Sequence, residues 1–164
     1  MADNLEQEDY SSPMALKIAD ALLPTAFDLD IVICMLQKIG YVPLFVKDYD
    51  EALQFYTDNL GFISNGDMPM GEGLRWITVL PSADAQTGVT FMLAQSPEQE
   101  ALVGHQGAGI PIMTLNTDDV AGDFERLSAN GICFMGEPKE NPYGTDVVFE
   151  DLYGNLIDLV QLAQ

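Results

Sequence analysis

The sequence predicts an α+β protein built from two tandem βαβββ modules. Three observations carry that prediction. Strand-like and helix-like stretches alternate from Leu36 to the C-terminus, a helix opened by an Asp and closed by a Gly occurs twice, and the two copies keep nearly constant spacing. Asp48 stands against Asp119 and Gly61 against Gly131, 71 and 70 positions apart. A period this long marks a duplicated module, not a solenoid. Each copy alone exposes one sheet face, and pairing two copies buries the apolar side.

Residues 1–34 read as an N-terminal extension, and residues 35–164 as the domain. MADNLEQEDYSS is an acidic tail, and Ser12 before Pro13 predicts a short helix, MALKIADALL. In it Leu16, Ala19, Leu22 and Leu23 share one face until Pro24. AFDLDIVICML is an added strand, a linker or sequence outside the domain, with Met35 a candidate start of the domain and of translation.

LQKIGYVPLFV is strand-like, helped by Val42 standing before Pro43. After Asp48, the helix YDEALQFYTDNL places Ala52, Leu53, Phe55, Tyr56 and Leu60 at helical spacing, and Gly61 ends it. GFISN supplies a short strand, Ser64 to Gly73 reads as a Gly-, Met- and Pro-rich loop, and LRWITVL and VTFMLAQ are strands around the turn PSADAQTG. The second copy has IPIMTLNT as strand, Asp119 before the helix VAGDFERLSAN, Gly131 as its close and ICFMG after it. TDVVFED and NLIDLVQ then form a hairpin around LYG.

Six Lys and Arg against 26 Asp and Glu give a formal charge of −20, which repels nucleic-acid phosphates and anionic lipid surfaces. No apolar run approaches membrane-spanning length, and the acidic N-terminus is unlike a signal peptide. No nucleic acid or membrane partner is expected, and a cytoplasmic setting is. Cys34 and Cys133 sit among apolar residues without CxxC spacing and are expected to be buried, reduced thiols.

VKDYDEALQFYTDNLGF in the first half, with DDVAGDFERLSANGICF and GTDVVFEDLYGNLIDLVQ in the second, resembles the vicinal oxygen chelate superfamily. That group contains glyoxalase I, extradiol dioxygenases and bleomycin-resistance proteins. The resemblance runs from Leu36 to the C-terminus. It implies that the two modules form a curved, cup-like mixed sheet with helices outside, the ligand sitting in the cup. It also implies a homodimer.

In metal-dependent members of that family the strand after the Gly-Asn turn carries a Glu ligand, and the matching position here is Asp158. The first strand of each half offers His or Gln, positions matched by Tyr41 and Ile112. The last strand of the first half offers Glu or His, a position matched by Met92, or by Phe91 one register away. One carboxylate with Tyr, Met and Ile does not supply the several N, O or thiolate donors that zinc or a hard divalent ion needs. No metal and no cofactor are therefore expected. His105, the single histidine, lies in the loop GHQGAG, away from these strands.

Of Arg75 and Trp76, alternation admits one to the cup. Trp76 there is a stacking surface for a planar or cationic ligand, or a core filler. Tyr143 in NPYGT closes over a ligand or is a turn residue. MPMGEG is an adaptable lid or a flexible surface loop. Candidate ligand-binding residues are thus Tyr41, Trp76, Met92, Ile112, Tyr143 and Asp158.

Three functions follow. The first is a non-catalytic binder of a small, cationic or aromatic molecule, of the bleomycin-resistance type. The second is a lyase, isomerase or dioxygenase with an unusual metal site, or a metal-free one using Asp158 or Tyr41 as acid or base. The third is an interaction module whose cup is filled by its own side chains.

Overall fold

The computed structural model describes residues 36–164, so the expected short helix, Cys34 and a start at Met35 lie outside the described residues. Strand β1 (Tyr41–Val46) buries Leu44 and Val46 and leaves Pro43 exposed between them and Tyr41. Helix α1 (Tyr49–Gln54) follows, and the Asp48 side chain accepts from Asp50 N and Glu51 N at 2.8 and 2.9 Å. A capping Asp satisfies donors that the helix itself leaves unpaired.

The helix continues as a π-helical turn over Phe55–Asn59, where the expected pattern was uniformly α-helical. Leu60 N bonds to Phe55 O at 3.3 Å, and Gly61, at φ 81°, ends the element in a conformation that favours glycine. Within this wider turn Tyr56 is 1% exposed and packs on Phe62 and Phe91.

The stretch expected to be a loop is instead a nine-residue strand, β2 (Ile63–Gly71), paired with β3 (Leu74–Leu80) through the tight turn Glu72-Gly73. MPMGEG is therefore strand and turn. Two register irregularities, at Ser64/Gly66 and Pro69/Gly71, absorb the residues that look loop-like. β2 is an edge strand, so the missing Pro69 N–H costs no ladder bond inside the sheet. β4 (Gly88–Leu93) completes the module, and a short helix α2 (Pro97–Glu100), capped by Ser96, comes after it.

The second module repeats the plan with β5 (Met113–Asn116), α3 (Val120–Ala129), the short β6 (Cys133–Phe134) and β7 (Lys139–Asn141), β8 (Gly144–Glu150) and β9 (Leu156–Leu162). The Asp119 side chain caps α3 by accepting from Gly122 N at 2.9 Å. Each module carries its own sheet, ordered β1-β4-β3-β2 and β5-β9-β8-β6, with β7 also on β8. β1 runs parallel to β4 and β5 to β9, and the remaining pairs are antiparallel. This is the α+β, doubled βαβββ architecture read from the sequence.

One face of each sheet is packed. Leu44, Ile77, Val79 and Phe91 from the first, and Val147, Phe149, Ile157 and Leu159 from the second, join Ala52, Tyr56 and Leu127 from the helices in a single core. Polar bonds tie the modules together. Asn59 Nδ2 donates to Asn130 O at 2.8 Å, and Asn130 Nδ2 donates to Asn59 O at 3.1 Å. Tyr56 OH donates to Asp151 Oδ2 at 3.0 Å in the buried interior.

Cys133 corrects an expectation. It is exposed, because Ile132 before it and Phe134 after it turn inward and alternation leaves the thiol between them on the outer side. Among the described residues no helix is long and apolar enough to cross a membrane.

Candidate functional site

The unpacked face of the first sheet follows from register. Leu44 opposite Phe91 is core, so Phe45 opposite Met92 and Tyr41 opposite Gly88 lie on the other side. The same alternation puts Ile77 in the core and Trp76, with Met68 opposite it, on the open face. Trp76 is 36% exposed, Met92 41% and Met68 55%. Met92, not Phe91, therefore occupies the open-face register. Arg75 points the other way, bonded to Asp67 and Asp50 and set over the Tyr49 ring at 5.6 Å.

Tyr41 and Trp76 form an edge-to-face pair with centroids 5.9 Å apart, a favoured aromatic geometry. Asn65 Nδ2 donates to Tyr41 OH at 3.0 Å. Asn65 went unnoticed in the sequence, since its reach depends on the irregularity between Ser64 and Gly66.

The open face of the second sheet carries Asp158, opposite Thr114 on β5 and Val148 on β8. Asp158 Oδ1 is removed from solvent and has no hydrogen-bond partner. Burial raises the Asp158 carboxyl above its ordinary range, and the nearby Asp146 adds to the rise. Asp146 accepts from Tyr143 OH at 3.1 Å and from Asn141 Nδ2. Tyr143 is exposed in the turn between β7 and β8, and desolvation, then Asp146 and Asp158, raises its phenol.

Ile112 N joins the β5–β9 ladder at Leu156 O, 2.9 Å, but its side chain is half-buried against the core margin and near Gly107. The predicted residues thus form two groups. Tyr41, Trp76 and Met92 share one open face, and Asp158 and Tyr143 lie together with Asp146 on the other, with Ile112 at its edge.

The donor set does not fit a divalent ion. The four family positions present a phenol, a thioether, an alkyl group and one carboxyl, and among the described residues no three His, Cys, Asp or Glu side chains gather as a metal-holding group. His105 is exposed in its loop. A separate cleft of about 480 Å³, lined by Val42, Phe62, Val89, Met113 and Leu115 among others, lies between the modules and includes none of the six predicted residues.

A residue missed in the sequence is Gln106. Its Oε1 accepts from Phe45 N at 2.7 Å and its Nε2 donates to Pro43 O at 3.2 Å, covering the free edge of β1. Gln106 N in turn donates to Asn155 Oδ1 at 3.4 Å, beside Asp151.

Residues 38–159 match the family described as Glyoxalase/Bleomycin resistance protein/Dioxygenase superfamily. An uncharacterised protein of Shewanella frigidimarina is 44% identical over 131 residues, 78% of this chain and 96% of that protein. The crystal structure of UcmS2 aligns with a TM-score of 0.68 at 31% identity, covering 77% of this chain and 98% of that one. TnmS3, an antibiotic-binding protein from Streptomyces sp. CB03234, aligns with a TM-score of 0.66 at 30% identity, covering 78% and 98%.

Proposed function

This chain belongs to the Glyoxalase/Bleomycin resistance protein/Dioxygenase superfamily, and we propose that it is a binder of planar aromatic small molecules that works without the family metal. The observation that carries the reading is the open face of the first sheet, where Trp76 joins Tyr41 and Met92, two of the positions matched to donors in the metal-dependent relatives, in an aromatic and thioether surface. Such surfaces grip a flat ring by stacking and sulfur–aromatic contact. The likeness to an antibiotic-binding protein supports the same reading.

The proposal includes a homodimer in a cytoplasmic setting. Each sheet leaves one face bearing exposed apolar side chains, among them Met68 and Trp76 on the first and Leu162 on the second. Pairing the first sheet of one copy with the second sheet of another would bring Asp158 and Tyr143 opposite the aromatic surface, where the carboxyl suits a cationic substituent.

A second reading is favoured by one observation. The buried, unpartnered Asp158 Oδ1 with its raised pKa is suited to carrying a proton in a metal-free enzyme.

The test is a thermal-shift screen of chelator-treated protein against polycyclic aromatic antibiotics. A ligand at a hundredfold excess over its Kd adds about 2.7 kcal/mol of stability. Stabilisation without metal supports the binder. Stabilisation only after a divalent ion is restored overturns it, and conversion of the compound to product favours the enzyme.

A further inference from the structure

We propose that Asn65 is a positioning residue that turns the Tyr41 hydroxyl into a hydrogen-bond donor beside Trp76, so that the site selects flat aromatic ligands bearing a ring-borne carbonyl oxygen. This rests on the reading that the open face of the first sheet holds the ligand.

The geometry runs from β2 inward. Ser64 faces Val79 and Gly66 faces Thr78, leaving Asn65 as an extra residue on the strand. An extra residue of this kind re-aims a side chain, and here it carries the Asn65 amide to Tyr41 OH at 3.0 Å. With Nδ2 donating, the phenol oxygen is an acceptor in that bond and its own proton is free for another group.

The Tyr41 ring is held from below as well. A Cβ at Gly88 would lie 3.2 Å from Tyr41 Cδ1 and 2.7 Å from Leu80 Cδ2, so the absent side chain is what lets the ring rest on β4. From the side, Trp76 meets it edge to face. The hydroxyl is thereby fixed at a corner where a cavity of about 230 Å³ is lined by Lys38, Tyr41, Asn65 and Gln86 with Leu80. Trp76, edge-on to the Tyr41 ring, supplies an apolar surface next to that corner, and a flat ligand with a ring-borne carbonyl satisfies both halves at once.

The test uses 1-indanone and indane, which share a skeleton and differ at the carbonyl. Trp76 is the only tryptophan in the chain, so its fluorescence reports this face directly. Wild type is expected to bind 1-indanone roughly tenfold more tightly than indane. Tyr41→Phe, which keeps the ring and removes only the hydroxyl, is expected to bring that ratio close to one. Asn65→Asp keeps the size of the side chain but turns it into an acceptor for the phenol proton, and is expected to abolish the preference in the same way.

Equal affinity of the wild type for the two compounds, with Trp76 responding to both, overturns the inference and leaves the binding reading standing. Retention of the preference in Asn65→Asp also overturns it. A Trp76 signal unmoved by either compound overturns the binding reading, and the inference with it.

Discussion

Replacing Asp151 with Ala should destabilise the domain by about 4 kcal/mol. Asp151 is 6% exposed and accepts four hydrogen bonds: from Tyr56 OH at 3.0 Å, Asn155 Nδ2 at 2.9 Å, Tyr153 N at 2.9 Å and Asn155 N at 2.8 Å. Truncation leaves all four donors without this acceptor. At a net value of about 1 kcal/mol each, the sum approaches half of a typical stability of roughly 5–15 kcal/mol. For a domain of this size about 1 kcal/mol moves Tm by about 3–4 °C, so Asp151→Ala should melt more than about 10 °C below wild type.

Tyr56→Phe removes one of the four bonds and should cost about 1–2 kcal/mol. Because the two groups are partners, Tyr56→Phe combined with Asp151→Ala should cost less than the sum of the single changes, by about 1 kcal/mol. Urea unfolding of all three variants measures this. Strict additivity, or an Asp151→Ala protein within about 1 kcal/mol of wild type, would refute the claim that this bond fastens the first helix to the second module.

Asp158→Asn should raise stability at neutral pH by about 1 kcal/mol, since it removes a charge whose Oδ1 has no partner. The sign follows from a folded-state pKa raised above its unfolded value: the stabilising, protonated form dominates at low pH, and its contribution is lost as pH rises through the folded pKa. The gain from Asn should therefore shrink as pH falls through the carboxyl range, as melting curves across pH will reveal. Gln106→Ala should cost about 1–2 kcal/mol and bare the β1 edge, giving a lower urea midpoint and more light scattering on warming. Trp76→Ala, on a partly exposed face, should leave Tm within a few degrees and weaken binding of a flat aromatic ligand by about tenfold or more, as calorimetric titration will show. Sedimentation should give a species of twice the 17.9 kDa chain mass.

Much of the fold was legible because its signals are local. Asp48 and Asp119 cap the helices they precede, and Gly61 and Gly131 leave those helices at φ 81° and 85°. Alternation also placed Trp76 and Arg75 on opposite faces. What escaped depends on partners distant in the chain. β2 looked like a loop because Gly, Met and Pro favour one, yet β3 supplies a ladder that a bulged edge strand can use. A π-helical turn and an α-helix share nearly the same apolar spacing over five residues, so the shift at Phe55 left no trace.

Candidate-site residues divide in the same way. Asp158 stood out as a lone acid between apolar neighbours, whereas Asp151, with a larger set of contacts, drew no attention at the end of the strand TDVVFED. Its value lies in Tyr56, 95 positions away. Asn65 and Gln106 act through a bulge and a linker, which no short motif announces.

Metal-free aromatic binding on the first sheet is tested most directly by the methionine-methyl NMR spectrum of the metal-stripped protein titrated with a stabilising aromatic ligand. Met92 and Met68 lie on the open face of the first sheet, while Met113 lines the cleft between the modules. Binding on the open face gives saturable shifts at Met92 and Met68 with Met113 unmoved. Shifts at Met113 with Met92 and Met68 silent would contradict it.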